Sequence, residues 1–402
     1  MGLQETPSAN RLHIAFFGCR NVGKSSLVNA VTDQDLALVS DKKGTTTDPV
    51  KKAMELLPLG PVVIIDTPGY DDEGELGKKR VSRTKRVLNQ ADIAVLVVDQ
   101  GLGLTEFDRE LLGIFREKEI PYLIAWNKMD MEGSAPIPSE EQERVVRVSA
   151  KTKENIWELK ERIGHIGKAQ GQERVLVRDL VCPGDFVVLV TPIDESAPKG
   201  RMILPQQQMI RDVLDGGAIN VVVKETELKE ALEGLKKPPR MVITDSQAFE
   251  LVSKVVPPSV PLTSFSILLA RYKGFLDTAV RGAAALKGLK DGDHVLVSEG
   301  CTHHRQCNDI GTVKLPRWLQ EYTGAKLTFH TCSGVEFPED LSPYQLVLHC
   351  GGCMLGGREM AFRMKCAVDQ GIPFTNYGIS IAAFNGILKR SLEVFGDQYQ
   401  WL

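Results

Sequence analysis

The sequence predicts an α/β protein of three units, on three observations. Short apolar runs of strand length alternate with helical runs along the 402 residues, and strands alternating with helices build mainly parallel, doubly wound sheets. A chain of this length exceeds one ordinary hydrophobic core. A polar, glycine-containing stretch at 167–174 (GKAQGQER) reads as a linker, and proline-rich breaks at Pro238-Pro239 and Pro257-Pro258 punctuate the section after it.

The run LHIAFF (12–17) reads as a buried strand, followed by a glycine-rich turn and the helical stretch Ser25–Val31. Apolar runs at 62–65, 93–98 and 122–126 continue the sheet, with a helix over 105–117. A second series runs strand 186–190, helix 202–214, strand 219–224, helix 226–235, strand 240–245, helix 246–255. A third starts near 265, with a helix at 275–288, a strand at 293–298 and a helix at 316–323. Strands at 326–330 and 344–349 and helices at 357–370 and 380–395 complete it. The expected units are 1–170, 171–264 and 265–402, with no internal sequence repeat and no low-complexity tract.

With 43% apolar and 25% charged residues and a formal net charge of −3, the chain is of the soluble globular class. No basic excess advertises a nucleic-acid partner. No apolar run approaches the roughly 20 residues of a membrane span, and no signal pattern opens the sequence. Met1-Gly2-Leu3-Gln4-Glu5-Thr6 fits the loose myristoylation pattern, a match short enough to arise by chance. A cytoplasmic protein without nucleic-acid or membrane partners is expected.

Gly18-Cys19-Arg20-Asn21-Val22-Gly23-Lys24-Ser25 is a complete Walker A loop between a strand and a helix. Its glycines let the backbone N–H groups through Val22 and Ser26 curl around phosphates, and the helix N-terminus adds partial positive charge. Lys24 is placed to reach the β- and γ-phosphates and Ser25 to ligate magnesium. Asp66-Thr67-Pro68-Gly69 follows the strand VVII, which sets Asp66 to hold magnesium through water and Gly69 near the phosphates. Gly44-Thr45-Thr46-Thr47-Asp48 occupies the place of a switch segment, with Thr46 as the second magnesium hydroxyl. Asn127-Lys128-Met129-Asp130 follows YLIAW and reads guanine. The Asp130 carboxylate accepts from guanine N1–H and its amine, whereas adenine would leave that charge unpaired. Ser149-Ala150-Lys151 completes the base pocket. Together the motifs select GTP over ATP, with hydrolysis resting on Lys24, Asn21, Thr46 and Asp66.

Six of the eight cysteines lie in the last quarter: Cys301, Cys307, Cys332, Cys350, Cys353 and Cys366. Clustering of this kind in a reducing compartment points to metal or redox chemistry. Cys301-Thr302-His303 follows one expected strand and His349-Cys350-Gly351-Gly352-Cys353 another. The two groups converge if those strands are neighbours, because ligand sites gather at the carboxyl ends of parallel strands. A lone CxxC is weak, and a cysteine is often only a small buried hydrophobe; the matched strand ends favour metal. Thiolates select zinc or an iron–sulfur cluster, and spacing does not separate the two. A cluster on three cysteines leaves one position for His303, His349, another side chain, water or a foreign ligand. Cys332 and Cys366 read as structural, and no CxxxCxxC triplet marks a radical-SAM enzyme.

NVGKSS, GTTTD and DTPGY resemble the TrmE–Era–EngA branch of GTPases. In that branch a P-loop asparagine at the position of Asn21 helps hold potassium against the phosphates; taken alone, Asn21 is a residue that tolerates a tight turn. Tyr70 stands where Ras-like proteins keep a water-orienting glutamine, which implies a slow or externally completed catalytic site. Thr47 replaces the arginine usual in the branch, so its switch behaviour does not carry over. A G domain of this kind followed by CxH…HCxxC resembles the FeFe-hydrogenase maturation GTPases, HydF, over the whole chain. The resemblance implies a dimerising middle section, a homodimer, and a 4Fe–4S cluster on Cys301, Cys350 and Cys353 with a variable fourth ligand. It also implies a scaffold or carrier for the diiron precursor of the H-cluster, made with the radical-SAM maturases HydE and HydG and delivered to apo FeFe-hydrogenase. An RNA-linked GTPase of the TrmE or Era kind is the alternative, opposed by the acidic balance and by the lack of a GxxG loop between basic helices. A zinc-stabilised regulatory GTPase is another.

Overall fold

The apolar runs of the first 170 residues form the centre of one six-stranded sheet. A computed structural model describes residues 8, 11–33, 50–57, 59–67, 87–170, 175–193, 202–300, 309–334 and 336–399, in two compact units, 1–172 and 173–402. The first unit contains β1 (Leu12–Phe17), α1 (Lys24–Thr32), β2 (Val50–Leu56), β3 (Gly60–Asp66), β4 (Ile93–Asp99), α2 (Glu106–Glu117), β5 (Tyr122–Asn127), β6 (Val145–Arg147) and α3 (Ile156–Gln170). Strand order is β2-β3-β1-β4-β5-β6, parallel except for the antiparallel β2–β3 pair. Successive residues of a strand point to opposite faces. Ile14, Phe16, Ile64 and Val95 accordingly join a core with Leu27 of α1, while Ala15, Phe17, Ile65 and Leu96 join another with Phe115 of α2. Cover on both faces is why these strands read as unbroken apolar runs. Edge strand β2 (VKKAMEL) was not expected, because its polar residues face water and leave no apolar run to read.

The second unit contains β7 (Phe186–Val190), α4 (Leu204–Asp215), β8 (Ile219–Val223), α5 (Leu228–Gly234), β9 (Met241–Thr244), α6 (Phe249–Val255), β10 (Leu262–Ser264), α7 (Phe265–Lys273) and α8 (Leu276–Ala283). It continues with β11 (His294–Glu299), α9 (Leu315–Thr323), β12 (Thr328–Ser333), β13 (Leu346–His349), α10 (Gly357–Asp369), β14 (Phe374–Asn376), α11 (Tyr377–Phe384) and α12 (Leu388–Leu392). Two expected helices differ. The run at 275–288 is preceded by a separate helix, α7, that ends on Gly274 in the left-handed region (φ 82°). The stretch 380–395 breaks at Gly386 (φ 68°) into α11 and α12.

Two four-stranded sheets stand in this unit, ordered β10-β9-β7-β8 and β12-β11-β13-β14. Both are wholly parallel, and both have the topology second-first-third-fourth. The likeness extends to single bonds. Before the first strand, Asp185 accepts from Cys182 N–H at 2.9 Å, and Asp293 from Lys290 N–H at 2.8 Å. Leu204-Pro205 opens α4 and Leu315-Pro316 opens α9. After the fourth strand, Ser264 caps α7 through Ile267 N–H at 3.2 Å, and Asn376 caps α11 through Ile379 N–H at 2.8 Å. The second unit thus contains a repeat of structure. Few identical residues carry it, because different side chains make the same turns and caps. One core joins the two sheets, through Val188, Val242 and Ile267 of the first repeat and Val295, Val347 and Ile379 of the second.

Gly282 sets how closely α8 crosses β14: a Cβ there would lie 2.1 Å from the Phe374 carbonyl oxygen. Backbone cannot swing aside as a side chain does. Gly282→Ala should cost about 1–3 kcal/mol of stability, read as a lower denaturation midpoint of the second unit; an unchanged midpoint would show that the crossing can relax.

Candidate functional site

The phosphate loop begins where β1 ends. Gly18 has φ 150°, and a Cβ on it would lie 2.4 Å from the Val97 carbonyl oxygen, so only glycine fits. Asn21 (φ 63°) and Gly23 (φ 85°) turn the loop through the left-handed region, and α1 starts at Lys24 with Gly23 at its N-cap and no capping side chain. Its first N–H groups are thereby free of side-chain caps, as an anion site requires. Ser26 lies on α1. Asp66, at the end of β3, accepts from Lys24 Nζ at 2.7 Å and from Ser25 Oγ at 2.8 Å. Parallel pairing of β1 and β3, with Phe16 opposite Asp66, brings these residues together from 42 positions apart.

The guanine motif is tied to the same loop. Asn127 Nδ2 donates to the Val22 carbonyl at 2.9 Å, while its Oδ1 accepts from Ala150 N–H at 3.0 Å. One buried amide thus joins the phosphate loop, the NKMD turn and the Ser149-Ala150-Lys151 turn. Lys128 (φ 68°) places its ammonium 2.6 Å from Asp99. Ser149 Oγ donates to Asp130 Oδ1 at 2.7 Å, and Lys151 Nζ lies 3.9 Å from Oδ2. The Ser149 hydroxyl is the main cause holding the Asp130 carboxyl below its usual range. Asp130 is therefore kept ionised, as a guanine acceptor must be. Thr46, Thr47, Gly69 and Tyr70 lie outside the described residues.

The second cysteine motif and Gly300, the residue before the first, come together at the carboxyl ends of β11 and β13. β11 and β13 are parallel neighbours, with Ser298 opposite His349, and Cys350 N–H continues the ladder to the Ser298 carbonyl at 2.9 Å. Gly300 N–H donates to Cys350 Sγ at 3.0 Å and Gly352 N–H to the same sulfur at 3.3 Å. Gly300, the residue before Cys301, therefore touches the CxxC turn. A Cβ on Gly300 would strike Leu355 at 2.8 Å, and one on Gly352 (φ 65°) would strike Met360 at 2.6 Å. Burial, then Cys353, pushes the Cys350 thiol up to about 12; a thiol so placed ionises only against a strong cation, such as a metal supplies. Cys301, His303 and Cys307 lie outside the described residues. Among the described residues, no group of three or more His, Cys, Asp or Glu side chains is arranged to hold a metal.

His349, named above as a possible ligand, is differently employed. It is wholly buried, its Nδ1 lies 2.7 Å from the Cys350 carbonyl and its Nε2 3.2 Å from Arg363 Nη1. A carbonyl needs a donor and a guanidinium needs an acceptor, so the ring is neutral with its proton on Nδ1. Burial, then the Arg363 charge, pushes its pKa down to about 3. Both nitrogens are engaged, and neither is left to bind a metal. Arg363, also wholly buried, pairs with Glu359 at 2.9 Å, reaches Ser298 Oγ at 3.2 Å and donates to the Gly334 carbonyl. Nothing in the sequence marks it, since its partners are scattered from 298 to 359. Cys332 sits beside Ser298 on β12 and Cys366 packs against the core.

A phosphate loop and a guanine motif held together at the end of a parallel sheet define a P-loop GTPase, and residues 13–128 match the family model of the 50S ribosome-binding GTPase. Residues 176–274 match the hydrogen maturase F dimerization domain and residues 277–394 the hydrogen maturase F tetramerization domain. These two matches together span more than half of the chain, which belongs to the hydrogen maturase F family. Both matched domains are assembly domains, so the second unit supports oligomerisation. The tRNA modification GTPase MnmE of Protochlamydia amoebophila is 35% identical over 176 residues, 42% of this chain and 37% of that protein. GTPase Der of Wolinella succinogenes is 33% identical over 174 residues, 40% and 36% of the two chains. The chain therefore spans little more than a third of the length of these relatives. Among solved structures, Era in complex with MgGDPNP and 16S ribosomal RNA nucleotides is 20% identical, covers 53% of this chain and 93% of its own, and has a TM-score of 0.35. A probable GTP-binding protein engB is 26% identical, with 39% and 99% covered and a TM-score of 0.32. No described helix is long and apolar enough to cross a membrane.

Two outcomes test this geometry. Asp130→Asn should exchange GTP for xanthosine nucleotides, because the amide donates to xanthine's added carbonyl; competition binding that still favours GTP would remove Asp130 from the base pocket. Arg363→Met takes its partner from buried Glu359 and should cost roughly 3–5 kcal/mol. The double variant with Glu359→Gln should recover part of that loss in denaturant unfolding, and a purely additive double variant would argue against the pair.

Proposed function

We propose that this chain is a GTP-hydrolysing scaffold that carries a 4Fe–4S cluster on Cys301, Cys350 and Cys353 and delivers the diiron precursor of the H-cluster to apo FeFe-hydrogenase. The observation that supports the cluster best is the bond from Gly300 N–H to Cys350 Sγ, which sets the residue before Cys301 against the CxxC turn. Two backbone donors on one sulfur suit a thiolate. With His349 engaged on both nitrogens, the fourth position falls to His303, another side chain, water or a foreign ligand. Radical-SAM maturases HydE and HydG would act on this scaffold before delivery, and a homodimer or a tetramer of it would be the working assembly. The cytoplasm is its proposed compartment.

In the G domain, Lys24 would neutralise charge on the β- and γ-phosphates while α1 presents its first N–H groups to them. Ser25 and Thr46 would give hydroxyls to magnesium, and Asp66 would orient its water; the ion offsets charge that develops on the phosphates. Asn21, at the loop tip, would hold potassium there. The curated relatives with RNA-linked names are matched over only 42% or less of this chain, so they do not favour an RNA partner for the rest.

The two chemistries lie in separate units, which makes them separable. Lys24→Ala should abolish hydrolysis and leave iron loading intact, whereas Cys350→Ser or Cys353→Ser should lose iron after anaerobic reconstitution and still hydrolyse GTP. Iron retained in both cysteine variants would sink the cluster assignment. Hydrolysis in potassium should exceed that in sodium at equal ionic strength, and Asn21→Ala should erase the difference; equal wild-type rates in the two salts would dismiss the potassium site.

A further inference from the structure

The two repeats of the second unit can be laid on each other strand by strand. Val188 of β7 pairs with Val221 of β8 and Val242 of β9; Leu296 of β11 pairs with His330 of β12 and Val347 of β13. On that register Asp245 stands where Cys350 does, Phe186 where His294 does, and Val221 where His330 does. Residues two apart on a strand share a face, so His294 and His330 lie diagonally across one face of the β11–β12 pair. The first repeat fills the same two places with apolar side chains. The fold therefore does not require imidazoles there.

The two rings meet. His294 Nδ1 lies 2.9 Å from His330 Nε2, with the ring planes 20° apart. His330 is exposed and His294 half-buried. Neighbours set both residues. Gln345 Oε1 accepts from His294 N–H at 2.7 Å, and Gln345 N–H donates to the His294 carbonyl at 2.9 Å. The Tyr344 ring packs edge-on against His330, 5.5 Å between centroids. Ligands carried on strands in this way are held more closely than ligands on loops.

Their separation points to a class of ligand. Neutral imidazole is a common ligand of divalent transition metals. Nitrogens bound at about 2.0–2.1 Å stand roughly 2.9 Å apart in neighbouring positions of a square-planar or octahedral ion, and roughly 3.3 Å apart around a tetrahedral one. Exposure lets the rings turn both lone pairs onto one ion. The proton of the nitrogen–nitrogen bond then passes through water to the other nitrogen of its ring, so both rings stay neutral. Solvent supplies the remaining positions.

We propose that His294 and His330 form a two-imidazole site for a divalent cation of the nickel(II) or copper(II) kind, which pins edge strand β12 to β11 in the section matched to the tetramerization domain. The site is separate from the cysteine turn. His294 opens β11 and Glu299 closes it, so five steps of about 3.3 Å, on the order of 16 Å, divide the two ends of the strand. Nothing in this inference rests on the cluster assignment.

The test uses the full chain, stripped with EDTA, and nickel(II) chloride alone as the probe. Wild type is compared by calorimetric titration with His294→Gln, with His330→Gln, and with the double variant His294→Phe/His330→Val, which copies the pair of the first repeat. Because the fold already uses that pair, the double variant should keep its unfolding midpoint in EDTA. Wild type should take up one more equivalent of nickel than the double variant. Each glutamine variant should bind that equivalent at least tenfold more weakly, and nickel X-ray absorption should lose an imidazole contribution with each ring removed. Nickel should also raise the unfolding midpoint of wild type more than that of the double variant. Equal nickel uptake in wild type and double variant overturns the proposal: the metal then sits on cysteines or on His303 and His304, and the two rings are a cross-strand contact only. If the double variant unfolds early, the glutamine variants decide. A tenfold loss in both supports the site, and wild-type affinity in either overturns it.

Discussion

Cys350 N–H donating to the Ser298 carbonyl is the last rung of the parallel pairing between β11 and β13, and the thiol site depends on that pairing. Parallel strands bring their carboxyl ends to one edge, so segments separated by some fifty residues arrive side by side. Had the strands been antiparallel, the two cysteine motifs would have left the sheet at opposite ends. The same constraint places Lys24 and Ser25 against Asp66 in the first unit, through β1 and β3.

What lies behind each strand end differs. In the G domain, Asn127 ties the base-reading turns to the phosphate loop by two hydrogen bonds, so phosphate and base recognition share one rigid frame. Behind the thiols, Arg363 fixes the His349 tautomer, and His349 in turn holds the Cys350 carbonyl. A fully partnered buried network of this kind is stiff, because any missing member leaves a desolvated charge. Such stiffness suits a site whose ligands must be held in one geometry.

Through the repeat, the cysteine turn at Cys350 and the two assembly domains share one core. Each copy buries one sheet face with its own helices and lends a helix to the other copy's strand end. Thiols occupy only one of the two equivalent places, and Asp245 holds the other as a helix cap. The cysteine turn therefore stands at a position that the fold provides twice.

By itself the sequence determined the class: phosphate loop, magnesium aspartate and guanine motif are local words, each read within a few residues, and their order leaves one fold. The buried strands were legible too, since burial on both faces writes an unbroken apolar run. Edge strand β2 was not, because half of its residues face water. Nor was the repeat, whose period resides in hydrogen bonds at Asp185 and Asp293 or Ser264 and Asn376 rather than in shared residues. The tertiary structure alone decided the duties of His349 and Arg363 and the burial of Lys273. His349 looked like a ligand by its neighbours in sequence and is a hydrogen-bond relay by its neighbours in space. Arg363 and Lys273 meet partners 65 and 82 positions away, across a distance that spacing cannot encode, because only the packing of helices on sheets brings such charges indoors.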